Sequence, residues 1–243
     1  KVDVLDMPDK TIIPVFNEIK TIEKILIKIH DVGFISKEII LVDDGSTDGT
    51  KDLIESKLYK MVTKVIYHQN NKGKGAAIKS AQIHVNGKYV IIQDADLEYD
   101  PEDYYKLLKP IIRGEASVVY GSRVLGQNNR YNLKNFTSIF RIFANHILTI
   151  MSNIINRQKL TDAHTCYKLF KSEIFKKIIL QERGFSFCPE ITTKLSNMNI
   201  DIIEIPISYN GRNYESGKKI KFKDAIEALI ALFMYKFFKK WLN

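Results

Sequence analysis

The sequence predicts an α/β fold, a mostly parallel sheet with helices on both faces. Three observations predict it: short runs of β-branched residues, amphipathic segments between them, and acidic turns where the runs end. Residues 11–15 (T-I-I-P-V) and 39–42 (I-I-L-V) read as strands covered on both faces, since they show no polar alternation. Between them, residues 21–30 place Ile22, Ile25, Leu26 and Ile29 at helical spacing. Further strands are expected at 64–68, 89–93 and 117–120, with a helix at 75–85.

After Arg123 the pattern changes. Residues 126–132 read as a polar loop, and 134–157 as one long helix in which Phe136, Ile139, Phe140, Phe143, Ile147, Ile150, Met151 and Ile154 recur every three or four positions. A short strand pair is expected at 167–170 and 202–205, then a last amphipathic helix at 223–242. No repeat or low-complexity linker divides the 243 residues, so one domain is expected over 1–243.

Composition narrows the functional classes. Cys166 and Cys188 are too few for a disulfide framework and stand in no zinc-type pair. Residues 1–10 hold three aspartates and no apolar run, which argues against a signal or anchor there. The most apolar stretch, 225–242, is broken by Glu227, Lys236, Lys239 and Lys240, so no membrane span is expected. The formal charge of +9 points to an anionic partner: nucleic acid, anionic lipid or a phosphate-bearing substrate.

The chemistry-bearing motifs sit at strand ends. Asp94-Ala95-Asp96 follows an apolar strand, and side chains two apart on an extended chain point the same way. Ligands of open α/β sheets bind at that edge, and adjacent carboxylates there suit Mg²⁺ or Mn²⁺ bridging to phosphate oxygens. A solvated acidic turn is the simpler reading of an isolated pair, but further acids accompany this one. Asp43 and Asp44 open V-D-D-G-S-T-D-G-T, where Ser46, Thr47 or Asp48 can cap a following helix. Pro14-Val15-Phe16-Asn17-Glu18 makes a third acidic strand end, with carboxylates suited to ribose hydroxyls or a base N–H.

These motifs, taken in order with N-K-G-K-G-A-A, Q-D-A-D-L-E-Y-D-P, G-S-R, T-D-A-H-T-C-Y-K-L-F, G-F-S-F-C-P-E and Y-N-G-R-N-Y-E-S-G-K-K-I, resemble family 2 glycosyltransferases of the A-type fold. Within them the likeness is to polyprenol-phosphate (dolichol-phosphate) hexose synthases, over residues 11–226. The resemblance implies that Pro14, Glu18 and Asp44 line base and ribose with Asp43 nearby, and that Asp94 and Asp96 hold Mg²⁺ or Mn²⁺. Glu98 replaces a metal-contacting glutamine of many relatives and is a candidate third ligand. Lys74 would touch nucleotide or sugar; Arg123, Arg212 and Lys218 would bind phosphates of donor or acceptor. Asp162 and Glu190 would act on the sugar or acceptor side as orienting groups, with partnership to a basic side chain as their structural alternative. His164 and Cys188 stand where relatives have Glu.

The implied domain plan is a nucleotide-sugar part at 11–123, an acceptor-side part at 124–222 and an interfacial helix at 223–243. The implied reaction is inverting transfer of a hexose from UDP-glucose or GDP-mannose to a polyprenyl phosphate, with the chain peripheral on the cytoplasmic side of a membrane. A leaving nucleoside diphosphate gains charge as its bond breaks, which is why metal and fixed cations belong there. A phosphate acceptor arrives as an anion and needs no base, unlike a hydroxyl. The amphipathic segments 134–157 and 223–242, with basic flanks, suit a headgroup layer. The alternatives are a family 2 enzyme acting on a hydroxyl of a cell-surface glycan, and a non-catalytic basic membrane-binding module. Nucleic acid is not an expected partner, because it would leave the acidic strand ends without a role.

Overall fold

Seven strands form one sheet: β1 (Pro8–Val15), β2 (Ser36–Asp43), β3 (Lys64–Tyr67), β4 (Tyr89–Ile92), β5 (Val118–Ser122), β6 (Lys168–Lys171) and β7 (Ile203–Pro206). Their order is β3-β2-β1-β4-β6-β5-β7, parallel throughout except for β6, which runs antiparallel to both its neighbours. The structure, a computed structural model, describes residues 8–32, 36–126, 136–211 and 222–238. The helices are α1 (Ile22–Asp31), α2 (Thr50–Leu53, continued by short turns to Met61), α3 (Lys74–Gln82), α4 (Tyr104–Ile112), α5 (Phe136–Asn156), α6 (Ser172–Lys177), α7 (Phe187–Asn197) and α8 (Phe222–Phe233, continued by a π-helical turn Met234–Phe238).

The strand alternation builds two apolar layers. Ile13, Ile39 and Leu41 face α1, α2 and α4 through Ile25, Leu26, Ile54 and Leu107. Their sequence neighbours Ile12, Ile40 and Val42 face α3, α6 and α7 through Ile78, Phe175 and Ile191. All of these are essentially solvent-free, so the unbroken apolar strands are explained by cover on both faces.

The expected pair at 167–170 and 202–205 is not a pair. β6 lies between β4 and β5, while β7 adds to the far side of β5. Both strands seek a hydrogen-bonding neighbour, but that neighbour is β5, whose span lies earlier in the chain. This arrangement brings the start of antiparallel β6 to the edge where the parallel strands end.

That edge opens between β1 and β4. Their pairing stops at Ile12 and Ile92, whereas β1 stays paired with β2 to Val15 and Asp43. Pro14 is therefore inside β1 and does not end it. Its missing N–H lies on the β4 side, beyond the last paired residue, where no ladder bond is lost. Since strand order reverses at β1 and β4, this gap is the topological switch point of the sheet.

α5 packs on α7 and α8 with an unusual polarity. Thr149, Ser152 and Asn156 are buried, and the Asn156 side chain donates to Thr193 Oγ1 at 3.1 Å. The apolar residues face out: Phe143 is 61% exposed, Ile147 41%, Ile150 47% and Ile154 73%. α8 and its extension likewise bury Ala228, Ala231, Leu232 and Tyr235 while exposing Ile226, Ile230, Phe233, Phe237 and Phe238. Residues 134, 135 and 239–242 of the two expected helices lie outside the described residues.

Candidate active site

The nucleotide-side loops are knitted together by their own polar groups. Asn17 adopts a left-handed backbone (φ 56°); its amide donates to Ser46 Oγ (2.9 Å) and its Oδ1 accepts from Thr47 N (2.8 Å). Glu18 N donates to Thr50 Oγ1 at 3.0 Å, and Glu18 Oε2 accepts from Thr21 Oγ1 at 2.6 Å. The N-cap position of α2 is Gly49 rather than Ser46, Thr47 or Asp48, and Asp48 Oδ1 accepts from Thr50 N at 3.0 Å just ahead of the helix.

The adjacent aspartates at the end of β2 have different surroundings. Asp44 Oδ1 meets His68 Nδ1 (2.6 Å) and Lys72 N (2.9 Å), and Oδ2 accepts from Gly73 N (2.7 Å). Its carboxylate is committed to holding the 68–73 loop, with His68 steadied from behind by Ser80 Oγ at 2.9 Å. Asp43 is 1% exposed, accepts only a long bond from Ser46 N (3.3 Å) through Oδ2, and its buried Oδ1 has no hydrogen-bond partner among the described residues. A buried carboxylate oxygen without a donor is costly, so Asp43 is the better placed of the two to accept an N–H or O–H from a ligand.

At the end of β4, Asp94 forms an ion pair with Lys74. Burial works against the Lys74 ammonium, but Asp94 beside it holds the pKa above the ordinary lysine range. Asp96 Oδ1 accepts from Glu98 N at 3.2 Å. Glu98 Oε2 instead accepts from the Tyr209 hydroxyl at 2.8 Å. Among the described residues no three His, Cys, Asp or Glu side chains are gathered to hold a metal ion. A two-carboxylate set still fits Mg²⁺ or Mn²⁺, which take remaining ligands from water and substrate phosphates.

The glycines of N-K-G-K-G have a packing role. A Cβ on Gly73 (φ +96°) would lie 2.4 Å from Arg183 O, and one on Gly75 2.3 Å from Glu182 O. The backbone at 182–183 thus runs directly against the segment that carries Lys74. Ala76 N donates to Arg183 O at 3.1 Å.

On the other side, Arg123 follows β5 and makes a bidentate pair with Asp162: Nε to Oδ2 at 2.6 Å and Nη2 to Oδ1 at 2.8 Å. Burial opposes the guanidinium, and Asp162 restores it, raising the Arg123 pKa. The guanidinium also stands 5.3 Å from the Tyr209 ring centre, which links Asp162, Arg123, Tyr209 and Glu98 across the edge. Glu204 fixes the backbone beneath, accepting from Thr161 N (2.6 Å) and Asp162 N (2.8 Å). Glu190 lies apart from this group. It accepts from Gln181 N (2.7 Å) and Glu182 N (2.9 Å) and pairs with Lys194 at 3.0 Å. His164 is pushed down to about 4 by burial and then by Lys168, so it is neutral. Cys166 and Cys188 are both free thiols. Arg212 and Lys218 lie outside the described residues.

Sequence reasoning did not anticipate His68, Tyr209 or Glu204. His68 had a legible signal, since it directly follows a parallel strand as Asp94 nearly does. Tyr209 and Glu204 carried none: their roles arise only because β7 joins β5.

Comparison with known proteins places this edge in context. Over 204 residues the chain is 30% identical to the glycosyltransferase AglJ of Haloferax volcanii, covering 82% of the chain and 62% of that protein's length. Over 233 residues it is 29% identical to the dolichyl-phosphate beta-glucosyltransferase ALG5A of Trichomonas vaginalis, covering 89% of the chain and 69% of that protein. In fold it is similar to glucosyl-3-phosphoglycerate synthase of Mycobacterium tuberculosis, with a TM-score of 0.71 at 15% identity, covering 95% of this chain and 81% of the other. A crystal structure of that synthase contains Mn²⁺, UDP-glucose and phosphoglyceric acid. The model of glycosyl transferase family 2 matches residues 11–179, and the chain, with its A-type sheet and acidic strand ends, belongs to that family.

Proposed function

We propose that the chain transfers a hexose from a nucleotide-sugar, UDP-glucose or GDP-mannose, to a polyprenyl phosphate at a membrane surface. The donor half of this reading is carried by one observation: Asp43 with its unpartnered oxygen at the end of β2, and Asp94, paired to Lys74, with Asp96 just after β4, all lie on the sheet edge that holds the switch point between β1 and β4. Asp43 suits a base N–H or ribose hydroxyl. Lys74 supplies a fixed cation for the diphosphate, and Asp94 and Asp96 would hold Mg²⁺ or Mn²⁺. Bound there, the metal would neutralise charge on the leaving nucleoside diphosphate. The Mn²⁺ and UDP-glucose in the structural relative support this assignment.

The acceptor half rests on chemistry and on surface. Asp162 is engaged by Arg123 and Glu190 by Lys194, so each acts as a positioning group rather than a base. An acceptor phosphate attacks the anomeric carbon as an anion and needs no base, with inversion at that carbon. The two packed helices α5 and α8 turn apolar side chains outward while α5 buries polar ones. That inversion suits a headgroup layer, where a basic chain meets anionic lipid. The dolichyl-phosphate relative points the same way. In this reading the chain acts as one peripheral domain on the cytoplasmic side, and Arg212 and Lys218 bind phosphates of donor or acceptor.

A thermal-shift series with each nucleotide-sugar, with and without Mn²⁺ or Mg²⁺, tests the donor half. One donor with metal should raise Tm by about 5–10 °C at a hundredfold excess over Kd, and Asp94→Asn should remove the metal requirement and most of the shift. Equal Tm for all donors with either metal would reject it.

A further inference from the structure

The last described turn of the chain contacts the segment packed against the donor-side lysine. Tyr235 is fully buried, and its hydroxyl donates to Glu182 Oε1 at 2.8 Å and to Gln181 Oε1 at 3.3 Å. Burial, followed by the charge of Glu190, raises the Tyr235 pKa, so the hydroxyl stays a donor at every working pH. Glu190, which also lies beside the Tyr235 hydroxyl, accepts both backbone amides of the same two residues. Lys194 ties the two clamps together, pairing with Glu190 at 3.0 Å and standing 4.7 Å from the Tyr235 ring centre.

What this clamp holds is the 182–183 backbone. Its carbonyls occupy the space that side chains at Gly75 and Gly73 would need, and Arg183 O accepts from Ala76 N. Lys74 sits between those glycines and pairs with Asp94. Loosening residues 181–182 therefore removes the wall against which the Lys74 segment is packed. α8 and α3 are joined by no direct hydrogen bond in this chain of contacts; the 181–183 backbone is the link.

We infer that Tyr235 is a positioning residue for Lys74, acting through the 181–183 segment that Glu190 also clamps. Its bearing on donor binding rests on the reading of Lys74 as the donor-side cation, whereas the link itself does not.

Hydrogen exchange read by mass spectrometry on the full chain tests the link, comparing wild type with Tyr235→Phe and Glu182→Ala. Each removes the hydroxyl–carboxylate contact, and the loss of one such bond should speed exchange over residues 73–76 by about fivefold. Glu182→Gln keeps an acceptor oxygen and should exchange like wild type. Lys236→Ala, which removes the 3.0 Å contact to Ser196 Oγ from the same turn, should leave residues 73–76 unchanged. In parallel, the Kd for the donor with Mn²⁺ should rise about fivefold in Tyr235→Phe. Wild-type exchange at 73–76 in both disrupting variants, with loosening confined to α7 and α8, overturns the inference. Faster exchange at 73–76 in a chain whose wild type binds neither UDP-glucose nor GDP-mannose upholds the link and sinks the donor reading instead.

Discussion

Asp43 and Asp44 are neighbours in sequence with opposite states in the structure. Asp44 has both oxygens engaged, whereas Asp43 keeps a buried oxygen without a partner. A ligand hydrogen bond to Asp43 would satisfy that oxygen. Asp43→Asn keeps the Ser46 contact but puts a donor where an acceptor is needed. It should weaken nucleotide-sugar binding by at least about tenfold with a Tm close to wild type, since one unpaired buried polar atom replaces another; calorimetric titration and a thermal melt check both. At this scale the sequence identified the acids of the site well, because strand-end position is written in the local pattern. It did not identify their partners. Whether Asp44 faces a ribose or His68, or Arg123 faces phosphate or Asp162, depends on which loops the strand order brings together.

Within elements, the glycine-rich turn before α3 makes a sharper case. The family resemblance draws attention to its lysine, while its glycines, Gly73 and Gly75, admit the 182–183 carbonyls. Gly75→Ala should cost about 1–3 kcal/mol through overpacking. Gly73→Ala should cost more, because its backbone is also left-handed; urea melts of the two variants check the order. The strands of the first half were legible from β-branched runs, as was the helix of residues 22–31. β6 and β7 were legible as strands and not as neighbours, since pairing is a non-local property. The apolar stripe of α5 was equally visible, but periodicity alone cannot say which side faces the core. The buried contacts of Ser152, Asn156 and Thr193 decide it, and those follow from α7 packing there.

Across the molecule, charge and surface act together. The apolar side chains of α5 and α8 with a +9 chain should bind vesicles containing anionic lipid and release as salt rises. A variant carrying Ile150→Glu and Phe237→Glu should lose flotation with such vesicles while keeping its Tm, as both residues are exposed. Stability should also depend on pH. Folding lowers the His164 pKa from 6.5 to about 4, so the unfolded chain binds more protons between those values. Stability from this group is complete above pH 6.5 and falls as pH drops towards 4, by a few kcal/mol at most. His164→Gln should flatten that part of the Tm profile. The reaction itself remains the central claim. Purified chain with UDP-glucose or GDP-mannose, Mn²⁺ and a short polyprenyl phosphate should yield a lipid-linked hexose in the organic phase, and Asp96→Asn should lower the rate at least about a hundredfold. Hexose transferred to a saccharide hydroxyl, with none recovered on the polyprenyl phosphate, would contradict it.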